Sequence, residues 1–232
     1  MPDSQRETAR IVWTDGGVPS SERFDEAYFS LENGLAETNH VFLAGNGLPK
    51  RYRDGFHIAE LGFGSGLNML AALRMWLNSG VKGHLIFTSF EAFPMAADDM
   101  RRSLEGFPEL AELTQELLNK WSVKTGQFQI GPLTANIIIG DARETLPKWR
   151  GLADAWFLDG FSPAKNPQMW THELMRQVTD HTPPQGTFAT FTAAGHVRAK
   201  LRDVGFEVEK VNGFGRKRHM STGILKARHG PK

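Results

Sequence analysis

The chain contains no cysteine. That absence removes disulfides, cysteine-bound zinc, iron–sulfur clusters and thiol nucleophiles together. No apolar run approaches the ~20 residues needed to cross a bilayer. The polar start Met1-Pro2-Asp3-Ser4-Gln5-Arg6-Glu7 has no hydrophobic region of a secretory signal. A cytoplasmic protein with no membrane partner is therefore expected. The eight histidines form no His-Glu-x-x-His motif and no i, i+4 pair, so no metal is expected. Internal repeats and low-complexity tracts are also missing. What is present is ordinary for a globular chain of one domain: 232 residues, 40% hydrophobic and 23% charged. Charge nearly balances overall, yet Lys210 to Lys232 holds seven basic residues and no acid. A second basic cluster is Lys50-Arg51-Tyr52-Arg53. Such clusters either neutralise phosphates or are simply solvated.

The most informative stretch is Phe56-His-Ile-Ala-Glu-Leu-Gly-Phe-Gly-Ser-Gly66, followed by the helical sequence Leu67-Asn68-Met69-Leu70-Ala71-Ala72-Leu73. An apolar strand runs into a glycine-rich turn and then a helix, the order in which a doubly wound α/β fold holds a nucleotide-like ligand. Small glycines admit a ligand close to backbone N–H groups, and the helix start adds a positive dipole end. The spacing is Glu60-x-Gly62-x-Gly64-x-Gly66, and Leu67 stands where a dinucleotide fingerprint needs its third glycine. This turn is similar to that of S-adenosylmethionine (SAM) methyltransferases. A tight strand–helix turn with no ligand is the bland alternative.

Residues 1–55 show no β-α alternation. Turn material at 15–20 and two short helices, about 25–34 and 38–44, predict an N-terminal extension packed on a main domain of residues 56–232. From residue 56 the periodicity alternates. Strands are expected near 57–61, 84–90, 127–130, 135–139, 155–158, 186–192, 206–211 and 221–226, with helices near 67–78, 96–102, 108–120, 167–179 and 194–204. The last two strands have no room for a helix between them, so they should pair antiparallel. The expected fold is α/β and Rossmann-like: a mostly parallel, seven-stranded sheet closed by an antiparallel hairpin.

Three acids fall at strand ends, where the crevice of such a sheet lies. Glu91 can accept both hydroxyls of a ribose. Asp141 can accept from an adenine amino group or cap the helix that Ala142-Arg143-Glu144 would start. Asp159 follows the buried strand Ala155–Leu158 and opens the loop Gly160-Phe-Ser-Pro-Ala-Lys-Asn-Pro-Gln-Met-Trp170. There it can orient, or take a proton from, a nitrogen nucleophile. Phe161 and Trp170 either stack on a base or pack in the core. Lys165 either meets phosphate or stays solvated.

Five separate stretches, Ser21–Ser30, Val41–Asn46, Phe90–Pro94, Leu158–Trp170 and Gly213-Phe-Gly-Arg-Lys-Arg218, together resemble the methyltransferase domain of the bifunctional tRNA-modifying MnmC family and its stand-alone MnmD type. The resemblance runs from about residue 10 to 226. It implies methylation of 5-aminomethyl-2-thiouridine to 5-methylaminomethyl-2-thiouridine at the tRNA wobble position. It implies SAM bound by Glu60, Gly62, Gly64, Gly66, Glu91 and Asp141, with Asp159 beside the acceptor amine. Substrate contacts are expected from Phe161, Lys165, Trp170, Arg216, Lys217 and Arg218, with tRNA phosphates also on the Lys50–Arg53 cluster. A methyltransferase-only chain without flavin is expected, its aminomethyl substrate supplied by another protein or by a domain from which this one was excised. Rival readings are a SAM methyltransferase acting on a small-molecule or protein amine, and a non-catalytic SAM- or RNA-binding module. A nicotinamide oxidoreductase fits less well, given Leu67 and the closing hairpin.

Overall fold

The computed structural model describes residues 7–30, 33–123 and 126–226. Its N-terminal part holds a small antiparallel sheet of β1 (Ile11–Trp13), β2 (Pro19–Ser21) and β3 (Glu26–Ala27). The helix expected over 25–34 is not there. Asp25 takes a positive φ of 49°, which breaks a helix at its first turn, and the next residues form β3. Leu31 and Glu32 lie outside the described residues. Helix α1 (Gly34–Thr38) starts instead where the Asn33 side chain accepts from the Ala36 N–H at 2.8 Å. It runs on through a π-helical turn and a 3-10 turn to Asn46.

The main sheet is built from β4 (Phe56–Leu61), β5 (Leu85–Glu91), β6 (Gln127–Ile130), β7 (Leu133–Ile139), β8 (Ala155–Leu158), β9 (Thr187–Thr190), β10 (Phe206–Asn212) and β11 (His219–Leu225). Helices α2 (Leu67–Ser79), α3 (Ala97–Leu104), α4 (Ala111–Lys120), α5 (Ala142–Thr145), α6 (His172–Asp180) and α7 (Gly195–Asp203) connect or flank the strands. The spatial order is β10-β11-β9-β8-β4-β5-β7-β6. Strands β9, β8, β4, β5 and β7 run parallel, while β11 is antiparallel to both of its neighbours. The expected closing hairpin is thus β10–β11. All eight expected strands join one sheet, one more than the seven-stranded layout allowed for. Gly131 and Pro132 turn the chain directly from β6 into β7, so β6 adds an antiparallel edge strand. Its alternation supports this: Phe128 and Ile130 are buried, Gln127 and Gln129 exposed.

Strand β4 is central, and its side chains go alternately to the two faces. Phe56 and Ile58 join a core with Met69, Leu70, Leu73 and Trp76 of α2, whereas Ala59 and Leu61 join Trp156, Leu158, Leu174 and Val178. Burial on both faces explains why these strands read as nearly continuous apolar runs. The chain steps outward from β4 to β5 and β7, then returns to the other side of β4 for β8. This reversal opens a crevice at the carboxyl ends of β4 and β8.

The Lys50–Arg53 cluster lies at the opposite end of the sheet from the crevice, and Arg51 and Tyr52 have structural partners there. Arg51 donates to the carbonyls of Asn46, Asp154 and Gln185 and to Thr187 Oγ1, all at the entrances to β8 and β9 or beside them. Arg53 pairs with Asp154 at 2.7 Å, and Tyr52 is buried with its hydroxyl donating to the Ala72 carbonyl. These groups hold the start of the sheet. Arg51→Met should therefore lower stability by about 2–3 kcal/mol, the scale of hydrogen bonds to a charged donor, and lower Tm by roughly 4–12 °C. Thermal melts check this; an Arg51 that served only phosphate binding would leave Tm in place.

Candidate active site

The crevice is a cavity of about 870 Å³. Its floor is the turn after β4. Gly62 has φ +94°, and a Cβ there would lie 3.0 Å from the carbonyl oxygen of Asp159. Gly64 has φ +53°, and a Cβ would meet the ring of Tyr28 at 3.1 Å. Both positions therefore need glycine for conformation and for space. Gly66, the residue preceding α2, does not line the cavity.

Glu91, at the end of β5, lines the cavity and is bound to the glycine turn. Its Oε2 accepts from the N–H groups of Phe63 and Gly64 at 2.9 and 3.0 Å, and its Oε1 from Phe93 at 2.7 Å. Burial raises its pKa, and these backbone donors oppose that rise. The ring of Phe63 stacks on Trp121, their centroids 5.0 Å apart. Asp141 both lines the cavity and caps α5, accepting from the Arg143 N–H at 2.9 Å. The Arg143 guanidinium grips both of its oxygens and lowers its pKa.

Asp159 emerges beyond β8 on the cavity wall. Its Oδ2 accepts from Asn68 Nδ2 at 2.7 Å, and burial pushes its pKa well above the usual carboxylate range. Asn68 also donates to Glu60 Oε1 at 2.8 Å and accepts from Thr38 Oγ1 at 2.7 Å. Glu60 is fully buried, with Ser89 Oγ donating to its other oxygen at 2.8 Å. It does not line the cavity, which corrects its expected direct contact with a cofactor. The alternation along β4 turns it toward α2 instead.

The loop after Asp159 separates its two aromatics. Phe161 lines the cavity, stacked on Phe24 at 4.6 Å and edge-on to Tyr28 at 5.2 Å between centroids. Trp170 is 2% exposed and away from the cavity, its indole N–H donating to the Phe161 carbonyl at 2.8 Å. Its expected substrate contact is thus corrected: Trp170 pins the loop that presents Phe161. Lys165 lines the cavity but is paired with Asp25. Glu26 accepts from the Ser162 N–H and Oγ at 2.8 and 2.7 Å. On the β10–β11 loop, Arg216 and Lys217 line the cavity, while Arg218 does not. Lys217 Nζ sits 3.0 Å from Glu37 and 4.1 Å from the centre of the Phe191 ring.

Sequence reasoning missed Phe24, Tyr28, Glu26, Glu37, Thr38 and Asn68. The first five belong to the N-terminal part, whose partners lie 30 to 180 residues away in sequence and carry no periodic signal. Asn68 was more accessible: a polar residue in the first turn of an apolar helix, next to the glycine turn, needs a buried partner.

A family model described as S-adenosyl-L-methionine-dependent methyltransferase matches residues 108–226. The tRNA 5-methylaminomethyl-2-thiouridine biosynthesis bifunctional protein MnmC of Caulobacter vibrioides is 46% identical over 216 residues, covering 90% of this chain and 36% of the relative. The same-named protein of Aeromonas hydrophila is 42% identical over 240 residues, covering 96% and 36%. The crystal structure of MNMC2 from Aquifex aeolicus superposes with a TM-score of 0.76 at 25% identity, over 99% of this chain and 74% of that one. The chain thus spans 36% of the length of these bifunctional relatives.

The raised pKa of Asp159 has a consequence for stability. A carboxyl with a higher pKa folded than unfolded stabilises the protein fully below its unfolded pKa, and that contribution is lost as pH rises through the folded pKa. Ionised and buried, Asp159 then opposes folding. Asp159→Asn keeps the shape and the acceptor for Asn68 but carries no charge. The variant should melt above the wild type at neutral and alkaline pH, with the gap closing toward the acidic carboxylate range. Melting curves over pH test this; a gap that does not depend on pH would refute the assignment.

Proposed function

The chain belongs to the S-adenosyl-L-methionine-dependent methyltransferase family, and from that membership we propose that it methylates the amine of 5-aminomethyl-2-thiouridine at the tRNA wobble position. The observation that carries the reading is the contact of Gly62 with the Asp159 carbonyl. It sets the ligand turn and the one carboxylate suited to an amine on adjoining walls of one cavity. Identity of 41–46% to proteins named for this modified nucleoside, across 90–98% of the chain, supports the same substrate.

The residues fit the cofactor. The backbone of the Gly62–Gly64 turn and the carboxylates of Glu91 and Asp141 face the same cavity, matching a ligand with a ribose and an adenine. SAM supplies, when bound, a methyl group on a sulfonium, so transfer to an amine requires no metal and no covalent enzyme intermediate. The protein's tasks are alignment and a free amine lone pair. An alkylammonium has a pKa of about 10, so the acceptor arrives mostly protonated. Asp159 takes that proton. Burial makes it a stronger base than an exposed aspartate, which narrows the mismatch. With the proton held on Asp159, the amine nitrogen keeps the free lone pair that a bound methyl donor would require. Phe161, backed by Phe24 and Tyr28, offers a stacking face for the base.

The described residues of the 1–55 extension, from Glu7 onward, roof in this reading the cavity of the main domain. Arg216, Lys217 and Lys165 at its rim meet phosphates, with Arg218 outside it, and Lys217 must exchange Glu37 for its new partner. The aminomethyl group is made by another activity, and work on tRNA supports a cytoplasmic place. No helix among the described residues is long and apolar enough to cross a membrane.

Incubation of hypomodified tRNA with the protein and labelled SAM should yield labelled 5-methylaminomethyl-2-thiouridine by nucleoside mass spectrometry. Label appearing only on small amines or on protein would transfer the reading to those substrates. Asp159→Ala should slow single turnover by ~10²-fold or more, with SAM affinity little changed. Separately, Gly64→Val should abolish SAM binding in calorimetry, because a branched side chain at φ +53° strikes Tyr28. Unchanged affinity would remove the turn from the cofactor site.

A further inference from the structure

The polar centre beneath the cavity is built around one amide. Asn68 Nδ2 has two hydrogens and two acceptors, Glu60 Oε1 and Asp159 Oδ2. Its Oδ1 takes the Thr38 hydroxyl. In this orientation, assigned from the network, both carboxylates receive a donor and the Thr38 hydroxyl meets an acceptor. Asn68 is 6% exposed, Thr38 3% and Glu60 0%, so water does not substitute readily for any partner. Four elements meet here: α1, the start of α2, β4 and the end of β8. Asp159 Oδ1 takes no hydrogen bond among the described residues.

We propose that Asn68 is a positioning residue for methyl transfer: its carboxamide, locked by Thr38 and braced on Glu60, holds Asp159 by Oδ2 and leaves Oδ1 as the oxygen presented to the acceptor nitrogen. This deepens the proposed function and rests on it. It also gives the acid of the glycine motif a task. Glu60 does not reach the cavity; it anchors the second N–H of Asn68, so the amide cannot swing away from Asp159. An amide is suited to this place because it supplies two donors and no charge. An aspartate at position 68 would set three carboxylates together, and an alanine would leave two facing each other without the amide between them.

A hydrogen bond to the ionised form lowers a carboxyl pKa. Removing it should raise that of Asp159 and move the onset of activity to higher pH. The other charges near Asp159 come from Glu60 on β4, Glu37 on α1, Glu26 on β3 and Lys217 on the β10–β11 loop. All four remain in an Asn68 variant, and Glu60, which loses its own bond to the amide there, is told apart from Asp159 by titration of the Asp159 carboxyl itself.

The experiment is single-turnover methyl transfer to hypomodified tRNA across pH, with SAM affinity measured in parallel on the full chain. Asn68→Ala should lower the plateau rate about tenfold or more and shift the acid limb upward, with SAM affinity held within about threefold. Thr38→Val, close in shape, should shift the limb the same way by less, and Thr38→Ser should recover it. Thr38→Val alone decides the matter should Asn68→Ala fail to fold. An unmoved acid limb in both variants, or a loss of SAM affinity proportional to the loss of rate, overturns the positioning role. A wild type that transfers no methyl group overturns the proposed function instead. Titration of the Asp159 carboxyl by 13C NMR, assigned with Asp159→Asn, then still distinguishes an Asn68 that sets Asp159 from one that only packs.

Discussion

Everything at the site depends on how closely β4 and β8 finish beside each other. A side chain at residue 62 would press on the Asp159 carbonyl at 3.0 Å, so the two strand ends meet backbone to backbone. The parallel register imposes this, pairing Leu61 with Leu158 one residue before each turn. From that contact the chain diverges. One branch becomes the glycine turn and α2, and the other becomes the loop through Phe161 and Trp170. Asn68 then bridges the branches from above Glu60. Asp159 and the glycine turn are thus placed by the ends of paired strands of the sheet itself.

The second half of the site comes from the N-terminal part and is held by different forces. Glu26 grips Ser162 through two hydrogen bonds, Asp25 pairs with Lys165, and Phe24 and Tyr28 pack on Phe161. Two of these ties are polar and near the surface, where an ion pair contributes little net stability. The aromatic contacts bring more, by excluding water from the ring that faces the cavity. The floor, set by the sheet, and the roof, tied on from the N-terminal part, are therefore made from separate stretches of the sequence.

This division explains what the sequence reveals. The strands of the main sheet and the closing hairpin are legible because burial on both faces leaves apolar runs, and because the short link from β10 to β11 admits no helix. Glu91, Asp141 and Asp159 are legible as acids at strand ends, since the fold class alone says where those ends gather. Pairings over long distances are not legible. Trp170 and Phe161 have similar credentials as aromatics in one loop, and only the indole N–H, which requires a partner when buried, separates them. Arg51 resembles any basic surface residue until Asp154 and Thr187 are brought to it. The N-terminal part misleads for a related reason: short segments pair by contacts outside themselves, so local helix propensity around Asp25 is overruled.

The eighth strand has a consequence for how the molecule behaves in company. β7 is a seven-residue strand ending in three consecutive isoleucines. Left as the margin of the sheet, it would offer a line of unsatisfied amides and carbonyls beside branched apolar side chains, a template for another copy to extend. β6 folds back over its first four residues, Gly126 accepts from the Ile137 N–H just beyond them, and Gln127 and Gln129 turn outward, so that the uncovered margin shrinks to the last two isoleucines. At the far margin, β10 does the same with Glu207, Glu209 and Lys210. Both rims of the sheet are short or charged, so self-templating is discouraged where the fold cannot close upon itself.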